Sequence, residues 1–175
     1  FEVNAIAASR IADEANQKVI VIDYRCMPEN PWPTPLRDIE QAINYLCTAN
    51  DTPCTIDKNN IYLSGICSGA QAAALVVQRK KLSVKIKQLI LLNGLYDQSF
   101  SQNSHQEKEK VDQMIQRDSC EWWFDYYKIS AKESKAAQYS PLFGNFSGFP
   151  PTHIITAEHD GFRSDSEALL IKLTE

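Results

Sequence analysis

A short strand-like run that leads through glycines into an alanine-rich stretch is the feature that most constrains the fold of this chain. Residues 61–64 (IYLS) have the composition of a strand, residues 65–69 are Gly-Ile-Cys-Ser-Gly, and residues 68–81 have helical composition. A strand that turns into a helix within five residues needs very small side chains at the turn, and Gly65 and Gly69 supply them. The pattern predicts a tight strand–turn–helix unit, which is typical of α/β proteins.

The rest of the chain alternates the same two kinds of element. Apolar runs predict three more strands and periodic segments predict three more helices; the strands are at 19–23, 87–92 and 152–157, and the helices at 4–17, 35–49 and 164–174. Continuous apolar strands separated by helices are typical of a parallel sheet with helices on both faces. We therefore predict an α/β fold with a mostly parallel sheet.

One segment interrupts this alternation. Residues 95–139 are polar and then contain an aromatic cluster at 122–127. These features predict a helical, lid-like insert, in which the aromatic side chains either pack within the lid or line a pocket beneath it. The chain is expected to be a single domain, residues 1–175, with the insert at about 95–139.

Composition excludes several classes of protein. The 175 residues contain no apolar run near the ~20 residues that a membrane-spanning helix needs. A net charge of −4, with one short basic run at 79–81, argues against a nucleic-acid partner. Five cysteines without a C-x-x-C pair or a Cys/His cluster of zinc type favour reduced thiols and a cytoplasmic protein, although Cys47 and Cys54 could pair across their loop.

Cys67 and Asp160 are the two side chains whose positions suggest chemistry. The turn at 65–69 has the spacing of a nucleophile elbow, G-x-S-x-G, with cysteine in place of serine. Such a turn projects residue 67 from the sheet, where the backbone N–H of Ser68 can face a developing oxyanion. Asp160 follows the last predicted strand, at the end of the sheet where open α/β folds build their sites. The alternatives are a small-residue turn around a buried cysteine and an aspartate that caps the next helix.

Four motifs in one order resemble the hormone-sensitive-lipase-like carboxylesterase branch of the alpha/beta-hydrolase family. Residues 19–36 (VIVIDYRCMPENPWPTPL) are similar to its D-Y-R-x-x-P-E-x-P-x-P segment. Residues 57–70 (DKNNIYLSGICSGA) are similar to its D-x-x-R-I-x-x-x-G-D-S-A-G-G segment. Residues 140–142 (SPL) and 149–163 (FPPTHIITAEHDGFR) resemble its S-P-L and L-P-P-T-x-I-x-x-A-x-x-D-x-L-R-D motifs.

This resemblance implies an esterase or lipase that hydrolyses small-molecule carboxylic esters without a metal or an organic cofactor. Carried over by position, the nucleophile is Cys67, one oxyanion donor is the N–H of Ser68, and the acid is Asp160. A cysteine nucleophile also resembles dienelactone-hydrolase-like members, and the sequence after Cys67 leans toward arylformamidase-like relatives, so either acyl hydrolase is an alternative. A catalytically degenerate binding protein with the same fold is another.

The catalytic base is missing from this resemblance. The family order is nucleophile, acid and then histidine, and no histidine follows Asp160. His105 is predicted to be a solvated loop residue, and His153 a core or rim residue of a strand that is buried on both faces. His159 is adjacent to Asp160 and cannot easily share a productive geometry with it. The catalytic histidine is therefore expected to lie outside this sequence.

The family's glycine-rich oxyanion loop is absent as well, since Phe1 aligns with its last residue. In the family, the strand before that loop lies between the strands that match residues 19–23 and 61–64. Its absence predicts a gap with two unpaired strand edges in the middle of the sheet. We therefore expect the native polypeptide to be longer and this chain to be an incomplete part of the domain.

Overall fold

The computed structural model describes residues 2–52, 54–106, 122, 130 and 132–175. Its elements, in chain order, are helices α1 (Glu2–Ala15) and α2 (Thr34–Thr48), strand β1 (Ile61–Ile66), helix α3 (Ser68–Gln78), strands β2 (Ile86–Leu92) and β3 (Thr152–Ile155), and helix α4 (Arg163–Thr174). Short 3-10 helices form at Asn103–Gln106, Glu133–Lys135 and Pro141–Phe143. No helix in these described ranges is long and apolar enough to cross a bilayer.

The three strands form one parallel sheet in the order β1-β2-β3. The register pairs Ile66 with Leu92 and Leu92 with Ile155, so the carboxyl ends of all three strands meet at one edge. The parallel α/β architecture is confirmed. Loops that follow these ends lie next to one another, which is where a site can be assembled.

The hydrophobic core lies on one face of the sheet. Helices α2, α3 and α4 bury their apolar sides there; the fully buried members are Leu36, Ala70, Ala74, Leu75, Val76, Leu89, Leu91, Tyr96 and Leu169. Ala70 and Ala73 of α3 pack within this core, as small residues that let the helix approach the strands closely.

The opposite face of the sheet is exposed in the described part of the chain. Tyr62, Ile66 and Ile155 point to this face and are 52%, 51% and 43% exposed. His153 shares the face and is exposed too, so the prediction that it is buried is wrong. The sequence pattern implied cover on both faces, whereas α2, α3 and α4 all pack on the other one.

Residues 19–23 are the one predicted strand that does not form. They carry no strand assignment, and β1 is bonded to β2 alone among the described residues. Val19 and Ile20 are exposed, while Ile22 and Tyr24 pack against the α2–α3 part of the core. An apolar run becomes a strand only when it has a ladder partner, and no described strand pairs with this run.

The other predicted elements are found, most with their ends shifted by one or two residues. The largest difference is at α3, which ends at Gln78 rather than residue 81. About half of the lid-like insert, residues 107–121, 123–129 and 131, lies outside the described residues, and so does the aromatic cluster at 122–127 apart from Trp122. Its first residues, Leu95 to Gln98, are buried.

Candidate active site

Cys67 lies between β1 and α3 in a strained backbone conformation. Its φ and ψ are 56° and −120°, in the region that favours glycine. The Cys67 N–H donates to the carbonyl of Leu92 at 2.9 Å, and its carbonyl accepts from the N–H groups of Ala70 at 3.0 Å and Gln71 at 3.2 Å. These bonds to β2 and α3 hold the strained residue in place, as in a nucleophile elbow.

Gly65 and Gly69 meet different needs at this turn. A Cβ at Gly65 would overlap the carbonyl group of Gly69 and lie 2.6 Å from the Ala70 nitrogen. A Cβ at Gly69 would meet no atom within 4 Å. The prediction that the turn needs small residues is therefore confirmed at Gly65, while packing alone does not require glycine at position 69.

The Cys67 thiol is half-buried, and its surroundings keep it protonated. Burial raises the pKa of the thiol, the backbone N–H of Ser68 opposes this by donating to the sulfur, and the negative charge of Asp160 raises the pKa further. The Ser68 amide and the Asp160 charge thus both act on the Cys67 thiol. A thiol in this environment needs a base before it can attack.

Ser68 and Tyr24 are linked beside this thiol. Their hydroxyl groups are hydrogen-bonded; burial raises the pKa of Tyr24, the bond to Ser68 lowers it, and nearby acidic groups, including Cys67, raise it. Tyr24 comes from the segment after residues 19–23 and forms one side of the site. Sequence reasoning did not assign this tyrosine, although it belongs to the Asp-Tyr-Arg motif.

Asp160 lies in the turn between β3 and α4. Its Oδ1 accepts the N–H of Phe162 at 2.7 Å, and its carbonyl accepts the N–H of Arg163 at 3.1 Å. The carboxylate therefore stabilises the turn before α4, but it does not cap the helix: the N-cap is Phe162, and no side chain caps α4, so the helix-capping alternative is wrong. Among the described residues no hydrogen bond reaches Oδ2, so the turn leaves that oxygen able to orient a further group.

Tyr96 is a second tyrosine that sequence reasoning missed. Its ring lies where a Cβ on Gly94 would be, and its side chain is fully buried. Burial raises the pKa of the phenol, and Asp165, Asp160 and Cys67 add to the effect. Its hydroxyl has no hydrogen-bond partner in the described part of the chain.

His105 is buried, so the prediction of a solvated loop residue is wrong. Its Nε2 lies 2.7 Å from Oδ1 of Asp165. Its ring packs edge-on against Phe100 and Phe162, with centroid distances of 5.2 and 6.1 Å. The partner carboxylate is 60 residues away in the chain, and no local pattern signals such a pair. His159 is exposed in the turn after β3.

The described thiols are unpaired and no metal centre is formed by the described side chains. Cys26, Cys47, Cys54 and Cys67 are free, and Cys120 lies outside the described residues. No group of three or more His, Cys, Asp or Glu side chains in the described part could hold a metal ion.

Comparisons with known proteins agree with this geometry. The family described as "alpha/beta hydrolase fold" matches residues 2–175. An arylesterase of Saccharolobus solfataricus is 29% identical over 175 residues, which cover 97% of this chain and 56% of that protein. A carboxylesterase of Mycobacterium tuberculosis is 25% identical over 167 residues, covering 89% of this chain and 50% of that protein.

Solved structures show the same fold. A hyperthermophilic esterase from the archaeon Pyrobaculum calidifontis matches with a TM-score of 0.84 and 23% identity, over 95% of this chain and 56% of that one. A thermostable esterase from Pseudomonas putida matches with a TM-score of 0.76 and 26% identity, over 87% of this chain and 49% of that one. The chain thus spans about half the length of the relatives it matches.

Proposed function

The chain belongs to the alpha/beta hydrolase fold family, and from this premise we propose that the protein hydrolyses small-molecule carboxylic esters, as a member of the hormone-sensitive-lipase-like branch. The observation that carries the proposal is the geometry of Cys67, a non-glycine residue held at positive φ between β1 and α3 with the Ser68 amide directed at its sulfur. The arylesterase and carboxylesterase relatives support an ester as the substrate class.

In the proposed reaction, the Cys67 sulfur attacks the acyl carbon of the ester. The carbonyl oxygen becomes an oxyanion that the Ser68 N–H stabilises. The bond to the alcohol oxygen then breaks, the base returns to that oxygen the proton that it took from the thiol, the alcohol leaves, and a thioester on Cys67 remains. Water hydrolyses the thioester, which releases the carboxylic acid and restores the thiol. No step requires a redox or metal group.

A base must remove the thiol proton, because burial and Asp160 raise the pKa of Cys67. We assign to Asp160 the orientation of a histidine, which is the role of the acid in a nucleophile–histidine–acid triad. We propose that this histidine is none of the three in the sequence: His105 is buried against Asp165, His153 lies on the exposed face of the sheet, and His159 is exposed beside Asp160. We further propose that residues 95–139 form a lid over this site within one domain.

The test is hydrolysis of short-chain p-nitrophenyl esters by the full-length protein and by its Cys67→Ala variant. We expect kcat/KM to fall by at least about a thousandfold in the variant, since removing a nucleophile leaves only binding and oxyanion stabilisation. Cys26→Ala is the matched control, because Cys26 is an exposed free thiol, and it should retain wild-type activity. An equal rate in wild type and Cys67→Ala would remove Cys67 from the mechanism.

A catalytically silent binding protein is the second candidate, and the protonated state of Cys67 favours it. The raised pKa means that the thiol is not activated by its described neighbours. In that case wild type and Cys67→Ala would both bind a non-hydrolysable ester analogue with equal affinity in calorimetry, and neither would turn over an ester. Turnover by the wild type alone distinguishes the enzyme from the binder.

A further inference from the structure

The turn that carries Asp160 is fastened to a distant part of the chain by buried serine hydroxyls. The Ser104 hydroxyl donates to the carbonyl of Gly161 at 2.7 Å and accepts the N–H of Ser164 at 3.0 Å. The Ser164 hydroxyl in turn accepts the N–H of Ser104 at 3.0 Å. Both serines are buried, so these bonds do not compete with water.

Asp165 extends this attachment to the loop after β2. The side chain is fully buried, and its Oδ2 accepts the N–H groups of Tyr96 and Asp97, both at 2.7 Å. Its Oδ1 lies 2.7 Å from Nε2 of His105. One carboxylate therefore joins three segments: the loop after β2, the 3-10 helix Asn103–Gln106 and the first turn of α4.

His105 forms the other side of this junction, and it contacts the Asp160 turn directly. Its ring packs against Phe162, whose N–H is the one that donates to Oδ1 of Asp160. A buried carboxylate without its partner is costly, so the pair has one favoured arrangement. The position of the Asp160 carboxylate thus depends on where His105 and Asp165 hold α4 and Phe162.

We propose that His105, paired with Asp165, is a positioning residue that holds the Asp160 carboxylate beside Cys67. The inference rests on the proposed function only in the roles of Cys67 and Asp160. The contacts that carry it are independent of turnover. His105 does not touch the reacting atoms itself and acts through Phe162 and the start of α4.

The test follows the ionisation of Cys67 rather than ester hydrolysis. The rate of iodoacetamide alkylation at Cys67 is measured against pH in the full-length protein, with the Cys67 peptide resolved by mass spectrometry from the other cysteines. The groups that surround this thiol are Asp160, the Ser68 amide, Tyr24 and Tyr96. Since the charge of Asp160 disfavours the thiolate, Asp160→Asn should lower the alkylation midpoint, by roughly half a pH unit.

His105→Phe should lower the midpoint by a similar amount, because it preserves the ring but removes the contact with Asp165. His105→Gln retains a donor and should restore most of the wild-type midpoint. If His105→Phe does not fold, His105→Asn, whose amide is too short to reach Asp165, replaces it. His153→Gln on the exposed sheet face is the matched histidine control and should have the wild-type midpoint.

The double variant His105→Phe, Asp160→Asn distinguishes two explanations. His105 either acts through Asp160 or affects the surroundings of Cys67 without Asp160. If His105 acts by holding Asp160, the double variant should have the midpoint of Asp160→Asn alone. Two results would overturn the proposal. One is a His105→Phe variant whose alkylation midpoint equals that of the wild type. The other is a His105→Phe substitution that lowers the midpoint of Asp160→Asn by as much as it lowers the midpoint of the wild type. A protein that shows these shifts but hydrolyses no ester would contradict the proposed function and leave the positioning role intact.

Discussion

Cys67 has the backbone conformation of an elbow nucleophile, but its thiol has a raised pKa. The positive φ is maintained by hydrogen bonds to Leu92, Ala70 and Gln71, so the geometry is built into the fold. Burial and Asp160 nevertheless raise the pKa of the thiol. Geometry and reactivity are therefore separate properties of this residue, and the alkylation profile and the ester assay report on them separately.

Gly65 and Gly69 allow a prediction about the turn itself. A Cβ at Gly65 overlaps backbone of α3, which cannot move without displacing the helix, so Gly65→Ala should destabilise the protein by about 3 kcal/mol. Gly69→Ala is the matched control. It lies within α3 with open space at its Cβ, so it should leave stability unchanged or raise it by up to about 1 kcal/mol.

Urea unfolding followed by circular dichroism measures both variants. Equal losses at the two positions would show that the turn is limited by backbone conformation rather than by the close approach at Gly65.

The environments of two histidines, His105 and His153, could not be predicted from the sequence. Cys67, Gly65 and Ser68 were located from their neighbours in sequence, because a strand–turn–helix unit is local. The environments of His105 and His153 depend on Asp165 and on the cover of a sheet face, and both are long-range. A single sequence contains no local signal for either.

At the scale of elements, helices and paired strands were predicted well and the unpaired run was not. The apolar spacing of α2 and the run that forms β2 depend on local composition, and the structure contains both. Residues 19–23 have an equally strong strand composition. They form no strand because a strand needs a hydrogen-bonded neighbour in space, which composition does not supply. Among the described residues, β1 pairs with β2 alone and its other edge has no partner strand.

Asp97 is a buried carboxylate within the loop after β2, and its hydrogen bonds permit a prediction at this scale. Asp97 accepts hydrogen bonds from the N–H and hydroxyl groups of Ser99 and Ser101 and from the Gln102 amide. Charge-assisted bonds of this kind contribute more than neutral ones, so Asp97→Asn should lower the free energy of unfolding by about 2 kcal/mol at pH 7. Asp57→Asn, in an exposed turn, is the control and should cause a smaller loss.

The effect of Asp97→Asn should also depend on pH. Burial acts to raise the pKa of Asp97, but the bonds from Ser101, Ser99 and Gln102 outweigh it and hold the pKa below its usual value. The stabilisation is therefore complete above the unfolded-state pKa of about 4 and is lost as pH falls through the lower folded-state pKa. Urea unfolding at pH 7 and at pH 3 should show the difference between wild type and variant shrinking; a constant difference would assign the loss to packing.

At the scale of the whole molecule, the uneven cover of the sheet is the dominant property. One face carries the core formed with α2, α3 and α4, while the other exposes Tyr62, Ile66 and Ile155 in the described part of the chain. Within the described ranges, the same sheet also has an unpaired strand edge at β1. Free edges and exposed apolar faces are the usual routes to association between chains.

We therefore expect residues 1–175, produced alone, to self-associate in the micromolar range that is typical of exposed apolar surface. Ile155→Lys should weaken the association, because it places a charge on the exposed face, at the end of strand β3. Ile171→Lys is the matched control: Ile171 is 57% exposed on α4, away from that face, and its replacement should leave association unchanged. Sedimentation equilibrium over a hundredfold range of concentration measures each mass. A wild-type chain that stays monomeric throughout would show that the face is covered in solution, and equal effects of the two lysines would assign association to net charge rather than to this face.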